Sequence, residues 1–221
     1  MNDLRLMFLD GLLWYLETRN WAFEKLRSCP IGSQGLDIKM YHYLYFSNLF
    51  GAVDIVRDHS KEIREKADFE EVIRRGFGNA DDYQYARELR NAIVHRGLNP
   101  ASAGHADDKI LYMLCPPIVS DRAGKKHYSC TFLYTVQLAE CCNQIVNAAI
   151  FEFLDSHDFL KSAEMTVSKE KTLEAVNNST AMPDWAKAMA AQAFDNIDFE
   201  QMATTIAETR INHLKDLLGY K

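Results

Sequence analysis

Positive charge is in short supply in this chain. Its 221 residues carry 25 Lys and Arg against 31 Asp and Glu, a formal net charge of -6. The global basic footprint of a non-specific nucleic-acid binder is missing, so any RNA contact has to come from a local patch. Long apolar runs are missing too. The Leu-, Phe- and Trp-rich N-terminus is interrupted by Asp3, Arg5, Asp10 and Glu17, which argues against a signal peptide and against a membrane span. The five cysteines are an odd number without metal-like spacing, two of them adjacent at Cys141-Cys142. That pattern predicts reduced thiols and a cytoplasmic protein.

Several chemistries lack their signatures. Gly32 and Gly35 lie in the break Cys29-Pro30-Ile31-Gly32-Ser33-Gln34-Gly35. No strand precedes them and no Gly-x-x-x-x-Gly-Lys is present, which excludes a phosphate loop. His127-x-x-Cys130 lacks the second pair of a zinc site. His105-Ala106-Asp107-Asp108 has cation-ligating residue types, but in an expected loop without a partner motif. No acidic pair of the kind that holds two catalytic magnesium ions is found. The sequence therefore predicts neither a metal nor a cofactor. Internal repeats and low-complexity linkers are absent as well.

What the chain has is apolar content of 48%, ample for a core of one large domain or a domain with an appendage. Leu4, Met7, Phe8, Leu12 and Leu16 recur at helical spacing and predict a helix over 3–27. A second is expected over 37–66, where Ile38, Tyr41, Tyr45, Ala52 and Ile55 keep the rhythm. Its run Tyr41-His42-Tyr43-Leu44-Tyr45-Phe46 predicts burial on more than one side and an aromatic core. Its end, Arg57-Asp58-His59-Ser60-Lys61-Glu62, is expected to be a solvated, charged surface. A short helix over 69–77 precedes Asn79-Ala80-Asp81-Asp82, an N-cap with an acidic first turn.

Beyond the helix that follows, residues 100–104 are expected as loop. Lys109–Leu114 and His127–Phe132 are expected to pair as a small β-hairpin within 108–132, around the polar turn 121–126. A long helix over 132–160 carries the stripe Val136, Ala139, Asn143, Val146, Ile150 and Phe153, suited to packing on another helix or on itself in a dimer, with Asn143 as a packing or register device. Three more helices are expected over 168–178, 183–194 (Pro183 in the first turn) and 198–218, the last closed by Gly219. The fold class is all-α: a helical domain over 1–160 and a C-terminal helical extension over 161–221, either a subdomain or a dimerisation arm.

The densest chemistry lies in Glu88-Leu89-Arg90-Asn91-Ala92-Ile93-Val94-His95-Arg96-Gly97, at the end of the helix expected over 81–96, where Gly97 and Asn99-Pro100 act as stop signals. On a helical wheel of about 100° per residue, Ala86, Leu89 and Ile93 take one side. Arg87, Glu88, Asn91 and His95 take the other. One face is core; the other carries a titratable imidazole.

Arg90-Asn91-Ala92-Ile93-Val94-His95 resembles the Arg-x(4–6)-His motif of the HEPN superfamily (higher eukaryotes and prokaryotes nucleotide-binding). Its members are helical bundles, often dimeric. Many are metal-independent ribonucleases of toxin–antitoxin and phage-defence systems, and others are non-catalytic interaction or RNA-binding modules. The resemblance implies a HEPN-like bundle, RNA as substrate, a homodimer that pairs two motif helices in one cleft, and a cognate antitoxin or defence-system protein as partner. It implies His95 as base, Arg90 as phosphate clamp and Asn91 as positioning residue, with Arg87 and Arg96 adding positive charge at the rim. This chain departs from the toxin subgroup, which has Tyr two residues after the His, where Gly97 stands here. The alternative function is a non-catalytic HEPN-like interaction or RNA-binding module.

The residue types suit the chemistry. Metal-free RNA cleavage needs a base for the ribose 2′-OH, a role imidazole fills near neutrality. It also needs a cation for the phosphate, which a guanidinium binds through its planar fork. Geometry sets a condition: Arg90 and His95 lie about 140° apart on a straight helix. They share a face only if the arginine reaches round or the helix ends early. Structural roles compete, since Arg90 suits pairing with Glu88 or Asp82, and His95 suits a helix C-terminus.

Overall fold

The computed structural model describes residues 2–62, 69–161 and 169–220. Among these are eight helices and four short strands: α1 (Asn2–Arg27), α2 (Gly35–Glu62), α3 (Phe69–Gly76), α4 (Ala80–Arg96), β1 (Gly104–Asp107), β2 (Ile110–Met113), β3 (Val119–Ser120), β4 (His127–Tyr128), α5 (Thr135–Ser156), α6 (Lys169–Asn178), α7 (Asp184–Phe194) and α8 (Phe199–Leu218). The protein is mostly helical. None of the described helices is long and apolar enough to cross a membrane.

α1 and α2 form an extensive helix pair, and α2 also packs on α3, α4 and α5. One core runs through all of them, with Leu12, Leu16, Tyr45, Phe46, Leu49, Ile73, Tyr85, Leu89, Leu138 and Ile150 at its centre. The expected α5 stripe is buried at Val136, Ala139, Val146, Ile150 and Phe153, and α5 packs against α1, α2, α3 and α8 of the same chain. Asn143 in that stripe accepts a hydrogen bond from the buried Tyr45 hydroxyl at 3.0 Å. α8 returns to pack on α1 and α5, whereas α7 buries none of its residues.

Several expectations change. Lys109–Leu114 and His127–Phe132 do not pair with each other. β2 pairs antiparallel with β1, in a stretch expected as loop, and β3 pairs with β4. All four residues of β1 are exposed, so its polar sequence has no core-facing alternation to mark it as a strand. α5 begins at Thr135, not 132; the Gln137 side chain accepts from the Tyr134 N–H at 3.2 Å and sets the start. Pro183 is the N-cap of α7 and not its first residue.

The end of α2 is more than a solvated surface. Ser60 is buried, and the His59 ring stacks on Phe8 with centroids 4.4 Å apart. The expected ends at residue 66, at 160–161 and at 168 fall in or beside 63–68 and 162–168, which lie outside the described residues. Of the aromatic run, Tyr45 and Phe46 are buried, while Tyr43 is exposed.

Candidate functional site at the end of α4

α4 begins where Asn79 accepts a hydrogen bond from the Asp81 N–H at 3.0 Å, followed by the acidic pair Asp81 and Asp82. This is favourable at the positive end of the helix dipole. It ends at Gly97, whose φ of 70° is left-handed. A side chain is strained there and glycine is not. Gly97 and Leu98 both turn their N–H groups back to the Ala92 carbonyl. The helix thus stops one residue after His95-Arg96 and leaves both side chains exposed at its end.

The inner face of α4, Tyr83, Tyr85, Ala86, Leu89, Ala92 and Ile93, is buried in the core. The helix also meets the β3–β4 hairpin. Three hydrogen bonds fasten the segments flanking that hairpin to the helix. Asp82 accepts from both the backbone N–H and the hydroxyl of Thr131 at 2.8 Å, and the Tyr85 hydroxyl donates to the Pro116 carbonyl at 2.7 Å. The hairpin turn is itself ordered by Asp121, whose carboxylate accepts from the Lys125 N–H at 2.8 Å. The consequence is a cleft of about 380 Å³ lined by Asn91, His95 and Arg96 from α4 and by Arg122 from the turn.

Of the residues expected from sequence, the structure therefore gathers Asn91, His95 and Arg96. Arg90 does not line the cleft. Its Nη1 donates to Asn91 Oδ1 at 3.0 Å, so it reaches round the helix as far as Asn91. Its Nε is buried without a hydrogen-bond partner, and such an orphan donor costs about 1–3 kcal/mol. Asn91 in turn donates to Glu88 Oε1 at 3.4 Å.

Arg96 binds Glu88 twice, at its backbone carbonyl (3.0 Å) and its carboxylate (3.4 Å). Glu88 thus pairs with Arg96 and not with Arg90, and Asp82 is occupied by Thr131. Arg87 is placed elsewhere. It pairs with Glu70 of α3, which also faces Arg57 of α2 at 3.7 Å, so Glu70 ties α2, α3 and α4 together.

Arg122 is the residue sequence reasoning passed over. Its only signal was the basic turn Arg122, Lys125, Lys126, which is remote in sequence from the motif and joins it only through the packing of β3 and β4 on α4. The acidic candidates at Asp107 and Asp108 lie at the β1–β2 turn. Among the described residues no group of three or more His, Cys, Asp or Glu side chains is arranged to hold a metal.

No protein-family model, curated protein or solved structure matches this chain. Its class is defined by architecture: a mostly helical protein with, among the described residues, two small antiparallel sheets, one of which carries a basic turn to the C-terminal end of α4.

Proposed function

We propose that this protein is a metal-independent endoribonuclease of HEPN type. One observation carries the reading: His95, Asn91, Arg96 and Arg122 share a single cleft in a protein with net negative charge. An exposed imidazole beside two guanidiniums is what attack by a ribose 2′-OH requires. His95 takes the 2′-OH proton, and the 2′-oxygen attacks phosphorus. The guanidiniums bind the phosphate oxygens as negative charge grows on them. The bond to the 5′-oxygen breaks, that oxygen leaves with the proton that the His95 imidazolium returns, and the other product ends in a 2′,3′-cyclic phosphate.

Within one chain Arg122 and Arg96 are the guanidiniums on this cleft, and Arg90 stands behind Asn91 as a positioning group. A homodimer of the kind the resemblance implies would bring a second set of side chains to the site. The same reading makes the protein a cytoplasmic toxin or phage-defence effector, held in check by a cognate antitoxin or defence-system protein.

The test is cleavage of RNA by the purified protein in excess chelator, with the 3′ ends of the products resolved. Cyclic phosphate ends should form and should fall by about 10²–10⁴-fold in His95→Ala, with the thermal midpoint unchanged. Full activity in His95→Ala removes the assignment. A second reading, a non-catalytic RNA-binding or interaction module, is favoured by the ion pairs that occupy Arg87 and Arg96. It predicts RNA retention without cleavage.

A further inference from the structure

The turn between β3 and β4 carries more positive charge than the cleft uses. Arg122, Lys125 and Lys126 are all exposed, in a protein of net charge -6. The turn that holds them is closed on itself. The Asp121 N–H donates to the Lys126 carbonyl at 2.9 Å, and the Gly124 N–H to the Asp121 carbonyl at 3.1 Å. Gly124 makes the reversal at a left-handed φ of 68°. The Asp121 carboxylate accepts from the N–H groups of Lys125 at 2.8 Å and Lys126 at 3.3 Å. The acidic side chain of the turn is thus bound to backbone, and among the described residues none of the three cations forms an ion pair. Glu88 and Asp82 of α4 are taken by Arg96 and Thr131. We propose that the turn 121–126 is a clamp for the backbone of a single-stranded RNA, in which Lys125 and Lys126 hold phosphates beyond the one at His95.

Arg122 fixes where that strand runs, because it lines the cleft together with Asn91, His95 and Arg96. Lys125 is three residues further on, at most about 11 Å along the chain. The bond between Asp121 and Lys126 folds Lys126 back across the turn. That separation is about one Debye length at 0.1 M salt, so the three charges act together on one strand. A cleft of about 380 Å³ is the size of a small-molecule site; it admits one strand and not a duplex. The two kinds of cation suit different parts. A guanidinium fixes a phosphate through two parallel hydrogen bonds, which suits the position beside His95. A lysine ammonium is a point charge on a flexible stem, which follows a backbone phosphate without reading a base. The substrate is therefore a strand several phosphates long and not a mononucleotide, and its affinity comes from counterion release. The clamp rests on the RNA reading of the cleft, which by itself leaves the length of the substrate open.

The test is fluorescence-anisotropy binding of a labelled 2′-O-methyl oligouridine, which cannot be cut through its 2′-oxygens, to the full chain between about 50 and 200 mM salt. Each phosphate contact to a single strand adds about 0.7 to the slope of log affinity against log salt. The double variant Lys125→Gln, Lys126→Gln should flatten the slope by about 1.4, so its affinity falls about sevenfold less than that of the wild type over this range. It should bind more weakly at the low-salt end, with the thermal midpoint unchanged. Equal slopes in the two proteins, or a wild type that does not bind, overturn the proposal. Displacement of the RNA by oligoglutamate at equal charge concentration also overturns it, by making the turn a site for an acidic peptide. The clamp and the ribonuclease fail separately. Binding with the expected change of slope, in a wild type that cleaves no RNA, keeps the clamp and removes the ribonuclease; cleavage with equal slopes does the reverse.

Discussion

Two pairs of arginine and histidine can be compared within this fold. Arg19 and His42 lie in the interior; His95 and Arg96, with Arg122, lie at the end of α4. Arg19 is fully buried. Its Nε and Nη2 donate to Asn20 Oδ1 at 3.0 and 2.8 Å, and its Nη1 donates to Asn147 Oδ1 at 2.8 Å. The two asparagines then donate to the carbonyls of Leu217 and Leu218, in the last turn of α8, where the dipole is negative. Burial lowers the Arg19 pKa to about 10, which still leaves it charged at neutral pH.

His42 Nδ1 lies 2.7 Å from the Ile38 carbonyl and Nε2 lies 2.9 Å from the Thr135 hydroxyl. Burial lowers its pKa to about 4. These groups have their hydrogen-bonding capacity taken up by neutral partners and act as pins between helices. At the end of α4 the same residue types face a cleft, and Arg90 behind them keeps an orphan donor. The difference teaches that residue type alone assigns nothing here; burial among neutral partners separates Arg19 and His42 from the exposed His95 and Arg96, which face a cleft.

The interior half of the comparison breaks most sharply at Arg19. Arg19→Met should destabilise the fold by about 2–4 kcal/mol, because it strips the donors from Asn20 and Asn147 and loosens the end of α8. Denaturant titration measures this. A change under 0.5 kcal/mol would show that the network is dispensable.

His42 sets a pH dependence. Its folded pKa, about 4, lies below its ordinary 6.5, so between these values the unfolded chain binds the proton first. The stability is present in full above pH 6.5 and is lost as pH falls through the window to 4, by about 3 kcal/mol in total. His42→Gln should remove that share of the acid sensitivity, as measured by unfolding free energy from pH 7 to pH 4.

At the α4 end the expected pattern reverses, with function lost and stability kept. Arg122→Ala should lower kcat/KM for RNA cleavage about tenfold, the size of one partly exposed charge-assisted contact, with the thermal midpoint unmoved. Equal rates would take the turn out of the site. The smallest effect is expected at Gly97, where φ is 70°: Gly97→Ala should cost about 1 kcal/mol of stability and fray the turn that carries His95.

Much of the helical framework was legible in sequence because its causes are local. The start of α4 follows from Asn79 and its end from Gly97. The rhythm of apolar residues gives α1, α2 and α5 their buried faces. The strands were not legible in their pairing. Gly104–Asp107 is polar and wholly exposed, and nothing local tells it to pair with Ile110–Met113. His59 was misplaced on a solvated surface because Phe8, which it stacks on, lies on another helix. The site was half legible: Asn91, His95 and Arg96 stand within one turn or so of each other, whereas Arg122 arrives on a hairpin.

By itself, then, the sequence determined the mostly helical fold, both caps of α4 and the polar face of the α4 end. Hydrogen bonds between residues three to five apart, together with amphipathic periodicity, suffice for these. Only the tertiary structure decided which cations are spent on structure. Glu70 from α3 claims Arg87, Asn147 from α5 claims Arg19, and the packing of β3 and β4 on α4 delivers Arg122 to His95. Each of those partnerships joins residues distant in the chain, and their proximity exists only once the apolar faces have closed into a common core.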